Sequence, residues 1–187
     1  TDSDTCFEKG SIKKVYNALD KHLAVRCKVE FLRTQGNFFS KLVAEARDFV
    51  YSKPVIFTPG IGIRKEILPL IGGYLFNESI PFAVDAELNY RIQNENISNK
   101  ILESAILYHR SEKLVHDLKA AYRIGKGCRI GTNLLMKKLE FIEKEVNLKV
   151  VNKSMYKDII DKKGILILVY QLFWDIFYHI GWRIEKE

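Results

Sequence analysis

The sequence has 187 residues, enough for one domain with a short appendage, and its 47% hydrophobic content supplies a core. Its 28% charged residues exclude a bulk membrane protein, and a formal net charge of +7 favours anionic partners without choosing among nucleic acid, anionic lipid and phosphorylated small molecules. Cys6, Cys27 and Cys128 lie far apart without CxxC spacing, which argues against a disulfide framework or zinc site and for reduced thiols in a cytosolic compartment.

No secretory signal is visible, and Thr1-Asp2-Ser3-Asp4 opens the chain without an initiator Met, as in a fragment or processed product. Ser11 is placed to cap a helix on which Ile12, Val15, Tyr16 and Leu19 recur at helical spacing. Val25, Cys27, Val29 and Phe31 alternate with Arg26, Lys28 and Glu30, the period of a half-buried strand over 25–32. Asn37 is placed to cap a helix carrying Leu42, Val43, Ala46, Phe49 and Val50 on one face, ended by Lys53-Pro54. Val55-Ile56-Phe57 reads as a short strand, broken at Thr58-Pro59-Gly60 and resumed at Ile61-Gly62-Ile63. A short helix over 64–71 contains Pro69 and stops at Gly72-Gly73. A helix over 84–93, a strand over 101–108 and a helix over 111–124 follow. Gly125, Gly127 and Gly131 punctuate a basic loop, and Asn133 starts another helix through Glu145. Strands alternating with helices make the fold class α/β.

The segment 164–183 is rich in Ile, Leu, Phe, Tyr and Trp and approaches the length that spans a bilayer. Gln171, Asp175 and His179 lie on one helical face, a stripe an uncomplicated single span would not carry. A helix lying in the membrane interface, or packed against protein, explains it better. Trp174, Tyr178 and Trp182 suit a headgroup belt, and the alternative for the segment is a buried core helix with one polar seam.

Four constellations carry candidate chemistry. Asp2 and Asp4 form an Asp-x-Asp, able to share a hard divalent cation with a diphosphate, although that pattern is frequent by chance and also suits a solvated turn. Arg64-Lys65 precede Ile71-Gly72-Gly73-Tyr74 and then Asp85-Ala86-Glu87-Leu88 with Arg91. Asp85 near a helix start can take a proton from a hydroxyl or simply cap the helix, while Glu87 and Arg91 pair on the surface. His109 follows a strand, where it can ligate a metal, hydrogen-bond a phosphate or lie idle. Arg123, Lys126 and Arg129, spaced by glycines, suit a phosphate-binding loop or a basic surface, and no P-loop pattern is present.

In this order the four constellations resemble the later half of a family 2-type glycosyltransferase with the GT-A fold, over roughly residues 1–130 and most specifically over Arg64 to Arg91. The chain departs from the usual pattern in having Val84 before the acidic residue. The resemblance implies a GT-A mixed sheet flanked by helices over 1–131, then a helical extension over 132–187. It implies that Asp2, Asp4 and His109 hold Mg²⁺ or Mn²⁺ on the donor diphosphate and that Asp85 is the general base of an inverting transfer. It further implies that Arg123, Lys126 and Arg129 stabilise the leaving group, and that Arg64, Gly72 and Gly73 shape the pocket. The part that recognises the nucleotide is expected upstream of Thr1.

The expected partners are a nucleotide-sugar donor, a lipid-linked or polysaccharide acceptor and a membrane surface, with the protein on the cytoplasmic face. The alternative is a non-catalytic, membrane-attached interaction module. Nucleic acid is not an expected partner: net charge is its sole motivation, and no helix-turn-helix, zinc-finger or aromatic RNA-binding signature is present.

Overall fold

The computed structural model describes residues 4–33, 37–138, 146, 148–152 and 154–185. Strands β1 (Thr5–Phe7), β2 (Ala24–Leu32), β3 (Ile61–Ile63) and β4 (Asn99–Arg110) form one mixed sheet in the order β1-β4-β2-β3. β2 and β4 are parallel, while β1 pairs antiparallel with β4 and β3 with β2. A parallel pair needs a long crossover. Here it contains α2 (Phe38–Tyr51) and α3 (Val84–Asn94), so the chain is α/β.

α1 (Ser11–Ala18) begins differently from the expectation. Gly10, at φ 85°, holds the cap position, and Ser11 is buried as the first helical residue. Its hydroxyl accepts from the Ile106 amide at 2.9 Å. That amide lies at a register shift, where Cys27 pairs with Leu102 but Lys28 pairs with Ile106. A bulge leaves ladder groups unpaired, and the first turn of α1 satisfies them, with Lys14 donating to the Ser104 carbonyl.

β2 runs where the alternation places it, but its polar face is not solvated throughout. Arg26 is 0% exposed, whereas Lys28 and Glu30 pair on open surface. The buried guanidinium donates to the carbonyls of Tyr51 (2.7 Å) and Lys53 (3.0 Å), at the C-terminal end of α2. A cation there complements the helix dipole, and desolvation nevertheless pulls Arg26 down to about 10. Asn37 caps α2 as expected, accepting from the Ser40 amide at 3.0 Å.

Residues 55–57 do not form the expected strand. Side chains satisfy their backbone instead: Ile56 donates to Asn89 Oδ1, and the Val55 carbonyl accepts from Asn99 Nδ2. The helix at Lys65–Ile71 is a 3-10 helix ending at Gly72, whose φ of 92° favours glycine. Glu87 and Arg91 pair as their spacing requires, but in the interior, with 1% and 8% exposure. Arg91 also donates to the carbonyls of Ile71, Tyr74 and Leu75, so it ties α3 to the diglycine turn.

The largest departure is α4. It runs unbroken from Leu114 to Lys138, through the expected basic loop and past residue 131. Of the helix expected over 133–145, the first residues belong to α4, and 139–145 lie outside the described residues. The glycines serve packing rather than turning. A Cβ at Gly125 would fall 2.0 Å from the Tyr178 carbonyl oxygen, and one at Gly181 2.0 Å from that of Tyr122. The backbones of α4 and α6 (Ile165–Ile184) therefore touch at a crossing that only glycine permits. α5 (Met155–Lys163) leads into α6 through Gly164. The main core cluster joins α2, α4, α5 and α6 around Val43, Phe49, Ala121, Ile159 and Trp174.

Candidate active site

A cavity of about 380 Å³ lies beside the carboxyl ends of β2 and β4, walled by α2, α3, α4 and α6. Ligands of open α/β sheets bind outside the carboxyl ends of the strands. Asp4, Asp85 and His109 all line this cavity. The Arg110 amide donates to the Asp4 carbonyl at 3.1 Å, which fixes the start of β1 against the end of β4. Asp4 Oδ2 is then 3.8 Å from His109 Nδ1. His109 Nδ1 lies 2.8 Å from the Arg110 carbonyl and so, in the neutral ring, carries the proton, leaving Nε2 as the basic nitrogen. The ring stacks on Phe31, with centroids 4.8 Å apart.

Asp85 sits in the first turn of α3, with the Thr58 amide 3.4 Å from its Oδ2. Burial pushes its pKa up, against the amides that favour the ionised form. The residue keeps partial exposure into the cavity. A carboxyl so placed is a base closer in pKa to neutral pH than a solvated one.

The cavity also holds groups that the sequence reasoning missed. Arg47 Nη2 is 3.3 Å from Asp117 Oδ2, its guanidinium lies 4.7 Å over the Trp174 ring, and the Tyr170 hydroxyl donates to Asp117. Lys149 Nζ is 3.1 Å from Asp175 Oδ1, and the Tyr156 hydroxyl donates to the same carboxylate. Glu112, Trp174 and Tyr178 complete the polar and aromatic lining. A signal for Arg47 was present: it stands at the helical spacing of Val43, Val50 and Tyr51, inside the apolar face of α2.

The other expected site residues lie elsewhere. Arg64 pairs with Glu66 and donates to the Leu19 carbonyl. Gly72, Tyr74 and Arg91 line a separate groove of about 190 Å³, and Gly73 closes the turn by donating to the Leu68 carbonyl. Arg123 lies over the Phe82 ring, Lys126 pairs with Glu185 at 2.9 Å, and Arg129 lies over the Trp182 ring. None of these residues lines the Asp85 cavity. Asp2 lies outside the described residues. No group of three or more His, Cys, Asp and Glu with metal-holding geometry occurs among the described residues.

α6 has two faces. Tyr170, Gln171, Trp174, Asp175 and Tyr178 are buried against the protein, so the polar stripe faces inward, with His179 at its exposed edge. Leu166, Val169, Phe173, Ile176, Phe177 and Ile180 are exposed on the opposite face. By length and composition alone the helix could cross a membrane, with a mean hydropathy of 1.3. No protein-family model matches the chain, and no curated protein matches it.

Proposed function

We propose that the chain is an inverting glycosyltransferase of the GT-A type, moving a sugar from a nucleotide-diphosphate donor to a lipid-linked or polysaccharide acceptor at the cytoplasmic face of a membrane. The observation that carries this reading is the meeting of Asp4, Asp85 and His109, from distant parts of the chain, in one cavity at the carboxyl ends of parallel strands. Asp85 takes the proton of the acceptor hydroxyl. The acceptor oxygen then forms its bond to the anomeric carbon from one side while the bond to the diphosphate oxygen breaks on the other, which inverts that centre. Raised by burial, the Asp85 carboxyl is a stronger base than a solvated one once ionised.

The Asp4 carboxylate suits Mg²⁺ or Mn²⁺, which often take one or two protein carboxylates and complete their shell with phosphate oxygens and water. His109 Nδ1, which faces Asp4, is committed to the Arg110 carbonyl and leaves only Nε2 for a metal. Asp4 would hold the ion, joined by His109 through Nε2 alone, and when bound it would supply charge neutralisation to the leaving diphosphate. Arg47 and Lys149 take the place in the cavity that the resemblance gave to Arg123, Lys126 and Arg129. Their positive ends, held by Asp117 and Asp175, stand ready before charge develops. The apolar outer face of α6 supports the membrane setting, since its inner face brings Trp174 and Tyr178 into the same cavity.

The partnering of both cavity cations also favours the second reading, a non-catalytic membrane-attached module, because it lowers the net positive charge offered to a diphosphate. Membranes from cells producing the native protein, or Asp85→Asn, supplied with a panel of nucleotide sugars distinguish the two. Asp85→Asn should lower transfer by about 100-fold or more. Unchanged transfer rejects Asp85 as the base, and no transfer together with no metal-dependent binding of any nucleotide sugar by calorimetry selects the module.

A further inference from the structure

The outer face of α6 does not end at apolar side chains. Along one flank it meets α4 in an open groove lined by His116, Lys119, Tyr122, Arg123, Phe177 and Ile180. Lys119 and Arg123 are exposed, and neither makes an ion pair among the described residues. Arg123 lies 5.7 Å over the exposed ring of Phe82. Arg183 adds an exposed cation at the C-terminal end of the same helix.

We infer that α6 lies in the plane of an anionic bilayer surface, its outer face among the acyl chains and Lys119 and Arg123 on lipid phosphates beside it. The inference rests on the membrane setting of the preceding reading and adds the orientation and the lipid class. Orientation follows from burial. A spanning helix would have to leave the glycine crossing with α4 and expose Asp175, which is bound to Lys149 and Tyr156. A helix in the interface keeps those contacts and buries only its apolar face. Lipid class follows from charge. Cations at the rim of an apolar face that make no ion pair among the described residues gain from negative headgroups and not from zwitterionic ones, and the net charge of +7 has the same sign. A protein partner or a second copy would need carboxylates set beside an apolar groove, and the exposed face of α6 supplies none to a second copy of itself.

Co-sedimentation of the full protein with phosphatidylcholine vesicles, with and without phosphatidylglycerol, tests this. Binding should require the anionic lipid and weaken with salt, and Lys119→Glu with Arg123→Glu should reduce it roughly tenfold or more. Phe173→Ser with Ile176→Ser should abolish what remains. All four positions are exposed, and near-ultraviolet circular dichroism checks that each variant folds. Equal binding to both vesicles, or charge reversal without effect, overturns the headgroup assignment while leaving the membrane setting intact. No binding to any vesicle overturns both, with transfer to a soluble acceptor still judged by Asp85→Asn. A dimer in light scattering that Phe173→Ser with Ile176→Ser dissolves assigns the face to a second copy and overturns the inference.

Discussion

Replacing Gly125 by alanine should destabilise the protein, although alanine is the better helix former. A Cβ at Gly125 would sit 2.0 Å from the Tyr178 carbonyl oxygen and 2.9 Å from its carbon, against ordinary contact beginning at 3.4 Å. Both neighbours are backbone, so relief requires α4 and α6 to separate by about 1 Å. Overpacking of this kind costs about 1–3 kcal/mol, and separation loosens Trp174 and Tyr178, which pack in the same core. The intrinsic helix preference returns about 1 kcal/mol. The net expectation is a loss of about 1 kcal/mol, or roughly 0.5 M in the urea midpoint, followed by circular dichroism at 222 nm. Gly181→Ala meets the Tyr122 carbonyl at the same crossing, so the double variant should lose less than the sum of the two. Gly131→Ala is the control: its nearest neighbours are the side-chain ends Leu148 Cδ1 and Ile80 Cδ1, which can yield. If Gly125→Ala instead gains about 1 kcal/mol, as an exposed helical glycine would, the contact between α4 and α6 is not there.

Asp117→Asn leaves Arg47 without its buried counter-charge and should cost roughly 3 kcal/mol, read as a fall in the thermal midpoint. Arg91→Lys loses the paired bonds to Glu87 and the fixed fork that reaches three carbonyls, and should cost a similar roughly 3 kcal/mol while loosening the diglycine turn. Asp85 gives a pH signature. Its folded pKa lies above its unfolded one, so the folded state binds the proton more tightly. Stability therefore falls as pH rises from the ordinary carboxylate range through the raised value. Asp85→Asn should flatten that slope and leave the protein more stable than wild type at neutral pH; a steeper slope would contradict the desolvation. Thiol titration of the folded protein should count one reactive cysteine, Cys6, because Cys27 and Cys128 are buried and burial pushes Cys128 up to about 12.

Elements whose signals are local were legible in the sequence. Asn37 before an apolar stripe gave the start of α2, and the diglycine after Ile71 gave the stop of the 3-10 helix. α6 was legible in both length and polar stripe because burial on one face leaves a periodic trace. The glycines of α4 were misleading for a physical reason. A turn and a close helix crossing both require a missing Cβ, and only the partner backbone distinguishes them. Because α4 continues through these positions instead of looping, Arg123, Lys126 and Arg129 lie outside the cavity. Asp4, Asp85 and His109, expected at one site from their order along the chain, all line one cavity. Arg47, Asp117 and Lys149 were missed because their pairing is tertiary, between α2 and α4 and between the segment before α5 and α6.

The most direct test of the account is single-turnover sugar transfer by the native protein and Asp85→Asn, with donor binding measured on the same samples. The account predicts that metal-dependent donor affinity stays within a few-fold while transfer falls by about 100-fold or more, since a lost base spares binding. Transfer at the wild-type rate, or a loss explained wholly by weaker donor binding, would contradict the role given to Asp85 and the reading of the cavity as a transferase site.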